Sequence, residues 1–295
     1  MKLRKVFTFY FLLFVFSSIF AWCKKSVPFM KKFWGFLLVI VLMTSCGEYQ
    51  SLLKSNDYNL VYKKAIEYYN KGDYQRAMNL LDGVRSVFVG QAKAQNIAYY
   101  RAFCSYNMKD YQIASDLFKQ FIQTYPESSF AEECLYMMGF CDYKASPKPR
   151  LDQQVTEKAI REFQLYLSRY PYSMRKDKVN TYMDEMRDKL SYKAYLSAKN
   201  YYLREHYKAA VISLQNCLKD YPGSKYREEI MYMLFVSKYQ MAVNSVEDKK
   251  VERYNNAREE YYYFADEYPN SRYAADVKKM YEDIEAYLEN YKFED

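Results

Sequence analysis

A Tyr-Pro-x-Ser junction occurs four times in this chain, at residues 125–128, 170–173, 221–224 and 268–271. The Tyr-Pro pairs lie 45, 51 and 47 residues apart. A chain that repeats one signal at such an interval stacks similar units in a row rather than folding about a single centre. Proline ends a helix, because it lacks an N–H and crowds the turn before it. The serine two positions on (Ser128, Ser173, Ser224, Ser271) suits the N-cap of a new helix. Acids such as Glu132, Glu133, Glu228 and Glu229 fit that helix's first turn, where the helix dipole favours negative charge.

Between junctions the apolar residues recur every three or four positions, which is a helical period. Glycine and proline number only seven each in 295 residues, so little interrupts the helices. The helix before each proline carries an alanine and a bulky residue one turn later: Ala114 and Phe118, Ala159 and Phe163, Ala210 and Leu214, Ala257 and Tyr261. Ala77 with Leu81 repeats the pattern without a following proline. Such helices are entered through KGDYQRA (71–77), MKDYQIA (108–114) and EHYKAA (205–210). Small residues where helices cross, a Gly/Asp-Tyr turn and a terminal proline resemble the tetratricopeptide repeat. The expected fold is all-α, an α-solenoid of about five tetratricopeptide-like helix pairs. The pairs fall at 57–88, 91–124, 128–169, 189–220 and 224–267. An extra helix near 174–188 feeds the fourth pair, and a capping helix at 271–291 closes the array. The loops 145–154 and 243–250 are polar and expected to be exposed. Tyrosine is abundant, at 36 residues. Tyr68, Tyr74, Tyr111, Tyr207 and Tyr254 are read as packing between helices.

The first 45 residues differ from the rest. They carry seven of the 44 Lys and Arg and no acid, so the chain from Cys46 onward holds 37 basic residues against 36 acidic. The formal charge of +8 therefore belongs mostly to the leader and gives no argument for nucleic acid as a partner. Met30-Lys31-Lys32 followed by FWGFLLVIVLM forms a complete export signal. Phe33 to Ser45 has 13 residues without charge, short of the ~20 that a membrane span needs. The run Leu42-Met43-Thr44-Ser45-Cys46-Gly47 resembles the bacterial lipobox. That resemblance implies cleavage before Cys46 and acylation of its thiol and new amino terminus. Gly47, with no acidic cluster after it, agrees with sorting to the outer membrane, facing the periplasm. The apolar run at 6–22 duplicates the signal, and translation from Met30 is expected. The organisation is thus a leader (1–45, its signal peptide 30–45), a lipidated tether (46–56), N-terminal repeats (57–169), and C-terminal repeats with their cap (170–295).

Chemistry for catalysis is sparse. His206 is the one histidine and falls in a turn between helices, so no nucleophile–base set forms around it. No glycine-rich phosphate loop and no metal-ligand spacing is present, and no cofactor is implied. Glu132/Glu133, Glu228/Glu229 and Glu259/Glu260 read as solvated charge. Cys104, Cys134, Cys141 and Cys217 permit two disulfides in three connectivities. Cys134 and Cys141 lie roughly 10 Å apart along one helix, too far to pair. Small buried core residues are the better reading of all four.

A lipobox close before the first repeat, about five repeats, and junctions such as KDYPGSKYREE (219–229) and DEYPNSRYAAD (266–276) together resemble one family. It is the BamD (YfiO-type) family of outer-membrane assembly lipoproteins, and the likeness covers residues 46–291. The resemblance implies a non-catalytic scaffold that binds a BamA-like barrel protein through its C-terminal repeats. It also implies that the N-terminal repeats receive unfolded outer-membrane protein substrates. Tyr62, Tyr69, Asn96, Tyr99 and Tyr106 recur on the first helices of the early pairs and are the expected groove contacts for such segments. Other readings are a lipid-anchored scaffold of division or polysaccharide machinery, and a glycan-binding helical lipoprotein. The second normally requires large insertions that this chain lacks.

Overall fold

The computed structural model describes residues 48–292, which are helical throughout apart from short turns and loops. The leader, the lipobox and Cys46 lie outside the described residues. The chain divides into two compact units at residues 94 and 95.

In the first unit a short helix α1 (48–53) precedes α2 (Tyr58–Asn70) and α3 (Tyr74–Arg85), which form the first expected pair. Val61, Ala65, Ala77, Leu80, Leu81 and Val84 make its core. The expected tether is not a loose link, because Tyr49 and Leu52 of α1 are buried. The Tyr49 ring meets Tyr68 edge-on at 6.0 Å and lies under the Arg76 guanidinium at 5.4 Å. Its hydroxyl accepts a hydrogen bond from Asn79 at 3.1 Å.

The second unit is the solenoid proper. It contains α4 (Ala92–Asn107, beginning at the division), α5 (Tyr111–Thr124), α6 (Ala131–Ala145), α7 (Gln154–Arg169) and α8 (Lys176–Leu203). There follow α9 (Tyr207–Asp220), α10 (Arg227–Val243), α11 (Glu247–Glu267) and α12 (Ala274–Lys292). Ala114, Ala159, Ala210 and Ala257 are fully buried, as the register requires, and so are Phe118, Phe163 and Leu214. Tyr261 is half-buried, stacked on Tyr281 at 4.0 Å, and Phe264 fills the core in its place. Gly139 shows why one helix crossing has no side chain. A Cβ there would lie 2.9 Å from Phe163 Cδ1.

The extra helix near 174–188 does not end; it runs on as the 28-residue α8. Its first half packs Val179, Met183 and Met186 into the core of the third pair. Its second half packs Tyr195 and Ala198 against α9 and α10. One helix thus serves two neighbours, and nothing between Asp188 and Ser191 breaks it.

The junction serines also differ from expectation. Helices α6, α8 and α10 start two residues later, with Phe130, Arg175 and Tyr226 as caps. Each serine oxygen accepts from the amide two residues on, at 3.2 Å for Phe130 and Arg175, 3.3 Å for Tyr226 and 3.0 Å for Tyr273. The chain makes two successive turns here, a local serine motif competing with the cap.

The short turns inside the pairs are alike. Gly72, Lys109 and Glu205 occupy the left-handed region, with φ of 83°, 69° and 58°. The next amides reach back to the carbonyls of Tyr68, Ser105 and Tyr201 at 3.0 Å. Glycine adopts this conformation freely, whereas Lys109 and Glu205 are held there against a cost of about 1 kcal/mol. The 145–154 loop is mostly exposed, but α8 pins it. Lys189 donates to Ser146 Oγ at 2.6 Å, Lys193 donates to the Leu151 carbonyl at 2.8 Å, and Gln153 is buried. Of 243–250, the second half is already helix α11.

Candidate functional site

Three of the junctions join neighbouring repeats through packed ring pairs. Tyr99 of α4 packs on Phe130 at 4.6 Å between centroids, Tyr195 of α8 on Tyr226 at 4.3 Å, and Tyr232 of α10 on Tyr273 at 4.0 Å. In every case the second ring stands four residues after the junction proline. At the second junction that position is Arg175, whose guanidinium lies 4.8 Å over the Tyr136 ring of α6. A cation over a tyrosine face replaces ring stacking there.

Carboxylates complete the joints. The Tyr99 hydroxyl donates to Glu133 at 2.8 Å, and Lys199 donates to Glu229 at 2.7 Å and to the Tyr195 hydroxyl at 2.8 Å. Burial alone would raise the Glu229 carboxyl, but the bonds from Lys199 and Tyr195 hold it below its ordinary value. Ser173 and Tyr166 both donate to Glu132 Oε1, at 2.7 and 3.0 Å, and Ser271 donates to Glu228 at 2.6 Å. The paired acids therefore do not behave as plain solvated charge. Glu132, Glu133, Glu228 and Glu229 tie one repeat to another, and Glu260 is buried against Lys238 at 2.5 Å. Only Glu259 of the six is exposed.

A second polar cluster lies inside the third pair. Lys158 of α7 bonds Asp142 of α6 at 2.8 Å and approaches Glu162 at 3.7 Å, and Ser115 of α5 donates to Asp142 at 3.0 Å. Asp142 is 1% exposed, and Glu162 Oε2 is buried with no hydrogen-bond partner. Burial first, and Asp142 second, push the Glu162 carboxyl up to about 8. Glu162 is thus mostly protonated at neutral pH. The cluster lies between α5, α6 and α7.

The four cysteines described are buried. Burial raises the Cys134 thiol to about 12 and the Cys217 thiol to about 11, and it raises Cys141 as well. Those three remain thiols, not nucleophilic thiolates. His206 is exposed at the start of α9. Among the described residues no group of three or more His, Cys, Asp or Glu is arranged to hold a metal. None of the described helices is long and apolar enough to cross a membrane.

The expected groove residues are distributed over both units. In the first, Tyr62 is half-buried, 6.1 Å from the Phe88 ring and 5.7 Å from the Lys93 ammonium, and Tyr69 meets Tyr74 edge-on at 5.5 Å. In the second, Asn96 is half-exposed on α4, and Tyr99 belongs to the junction joint just described. Tyr106 packs beside Tyr111 and Phe140, and burial raises its hydroxyl. The five helix-packing tyrosines, Tyr68, Tyr74, Tyr111, Tyr207 and Tyr254, are all half-buried or buried. The residues that sequence reasoning missed are Phe130, Arg175, Tyr226 and Tyr273. Their fixed offset from each proline was a readable signal.

The YfiO family, described as outer membrane lipoprotein, matches residues 54–229 and again residues 193–294. Among solved structures, the chain is similar to the TPR2AB domain of yeast Sti1 in its pHSP90 complex. The identity is 14%, covering 77% of this chain and 98% of that one, with a TM-score of 0.35. It is also similar to a TPR repeats protein from Bacteroides fragilis, at 13% identity over 79% of this chain and 99% of that one, with a TM-score of 0.39. No curated protein sequence matches it.

Proposed function

The chain belongs to the YfiO family of outer membrane lipoproteins, and from that premise we propose that it is a non-catalytic scaffold of the machinery that assembles β-barrels in the outer membrane. The observation that carries this reading is the family match, which extends over every helix pair from α2 to α12. In this reading Cys46 is the lipidated residue and the folded part faces the periplasm. Helix α1 starts two residues after Cys46 with its apolar side already buried. Two residues of chain reach about 7 Å, so a lipid on Cys46 holds the first unit against the bilayer.

The C-terminal repeats (170–295) bind a BamA-like barrel protein, and the N-terminal repeats (57–169) take extended segments of unfolded barrel substrates. Tyr62, Tyr69, Asn96, Tyr99 and Tyr106 are the proposed peptide contacts. The half-buried rings of the four tyrosines offer flat apolar area at low entropic cost, which suits sequence-tolerant binding. Purification from gently solubilised envelopes tests the assignment. Co-recovery of a BamA-like barrel protein is expected, together with loss of barrel proteins from the outer membrane on depletion. Recovery without any such partner sinks the assembly reading. Mass analysis of the native amino terminus tests Cys46 separately.

A further inference from the structure

The second junction is unlike the other three in what it shows to solvent. Its Tyr172 is 97% exposed and its Met174 fully so, while Ser173 between them turns inward to Glu132. The equivalent positions elsewhere are Glu127 and Ser129, Gly223 and Lys225, and Asn270 and Arg272. The surroundings differ in charge as well. From two residues before the proline to seven after it, Arg169, Arg175, Lys176 and Lys178 stand against Asp177, a net +3. In the same window Glu127, Glu132 and Glu133 make the first junction −3, and the third and fourth are each −1.

We propose that this tip is a membrane-docking element, with Tyr172 and Met174 entering the interfacial layer of an anionic bilayer and Lys176 and Lys178 engaging lipid phosphates. The proposal rests on the lipoprotein reading for the presence of a bilayer nearby. Two side chains that project from a turn present no groove for a peptide, but they can enter a deformable interface, where tyrosine is favoured. Lys176 and Lys178 point the same way. Lysine is depleted at protein–protein interfaces, whereas juxtamembrane lysines each gain from an anionic surface. A basic apolar surface element on the second unit adds its own affinity for the bilayer to that of a lipid.

The test uses the mature protein carrying Met174→Cys and an environment-sensitive fluorophore. The four cysteines of the folded part are buried, so the label reports one place. On vesicles of phosphatidylethanolamine with phosphatidylglycerol, emission shifts to the blue and brominated lipid quenches it. The same label at Arg272→Cys, the matching position of the last junction, stays water-like. Lys176→Gln with Lys178→Gln lowers docking on the order of twentyfold, from about fivefold per cation. Tyr172→Ser with Met174→Ser, harmless to the fold at these exposures, reduces it too. A water-like label at position 174 on protein that is bound to the vesicles overturns the proposal and leaves Cys46 lipidation intact. If mass analysis shows no lipid, Cys46→Ser removes the thiol that would otherwise also take label, and the labelled chain titrated onto the same vesicles reads docking directly. Protection of the label only when envelope proteins are added makes the tip a protein contact and refutes the membrane assignment.

Discussion

Sixteen residues after the proline that opens each pair, α6 carries Asp142 and α10 carries Lys238. Nine residues before the proline that closes it, α7 carries Glu162 and α11 carries Glu260. The third and fifth pairs thus share a register but differ in one charge. In the fifth, Lys238 and Glu260 neutralise each other at 2.5 Å. In the third, two carboxyls face one another, and Lys158, one turn before Glu162, supplies the single cation that both use. One cation cannot neutralise two buried carboxylates. Glu162 therefore keeps its proton, while Asp142 takes the closer bond. The junctions that follow continue the contrast: Arg175 and Lys178 after the third pair stand where Tyr273 and Asp276 stand after the fifth.

The largest expected effect comes from removing the shared cation. Lys158→Ala strands the buried Asp142 beside Glu162 without its cation and costs about 3 kcal/mol in denaturant unfolding. Lys238→Ala strands one carboxylate and costs about 2 kcal/mol. Equal losses would break the comparison. The next effect is on pH dependence. Glu162 stands at about 8 in the fold against 4.5 as a free side chain, so the native state keeps a proton that the unfolded chain releases. Stability therefore falls as pH rises through that interval and levels off above it. Glu162→Gln removes this fall, so its stability relative to wild type rises steadily between pH 5 and pH 9. A slope that survives the substitution refutes the assignment.

The junction serines sharpen the comparison at smaller scale. Ser173 bonds Glu132 and Tyr166 besides its own turn, so Ser173→Ala costs about 1.5 kcal/mol by thermal unfolding. Ser128 serves its turn, and Ser128→Ala costs about 0.5 kcal/mol. The smallest effects come from exchanging the ladder residues. Tyr273→Arg loses a ring stacked at 4.0 Å and costs about 1 kcal/mol, whereas Arg175→Tyr stays within about 0.5 kcal/mol of wild type.

Much of this architecture was legible beforehand. Proline spacing located the helix pairs, and the alanine register identified the buried face at Ala114, Ala159, Ala210 and Ala257. The joints were legible only in principle, because a ring four residues after proline is a pattern without a meaning until its partner is known. Tyr99, Tyr195 and Tyr232 supply that meaning from more than 30 residues away. The proposed groove residues show the same limit. Helical spacing put Tyr99 and Tyr106 on one face, but the distant Glu133 and Phe140 decide how much of each remains available.

By itself the sequence determined the helices, their pairing and the places where they stop, since proline chemistry and apolar period act within a few residues of chain. It misplaced a helix break near residue 188 and a cap at each junction serine, and it left open whether Glu162 would be charged. Only tertiary packing decided those points. The continuity of α8 depends on having a core to fill at both ends. The protonation of Glu162 depends first on burial and then on Asp142, which the 145–154 loop separates in sequence and the α6–α7 contact brings back in space.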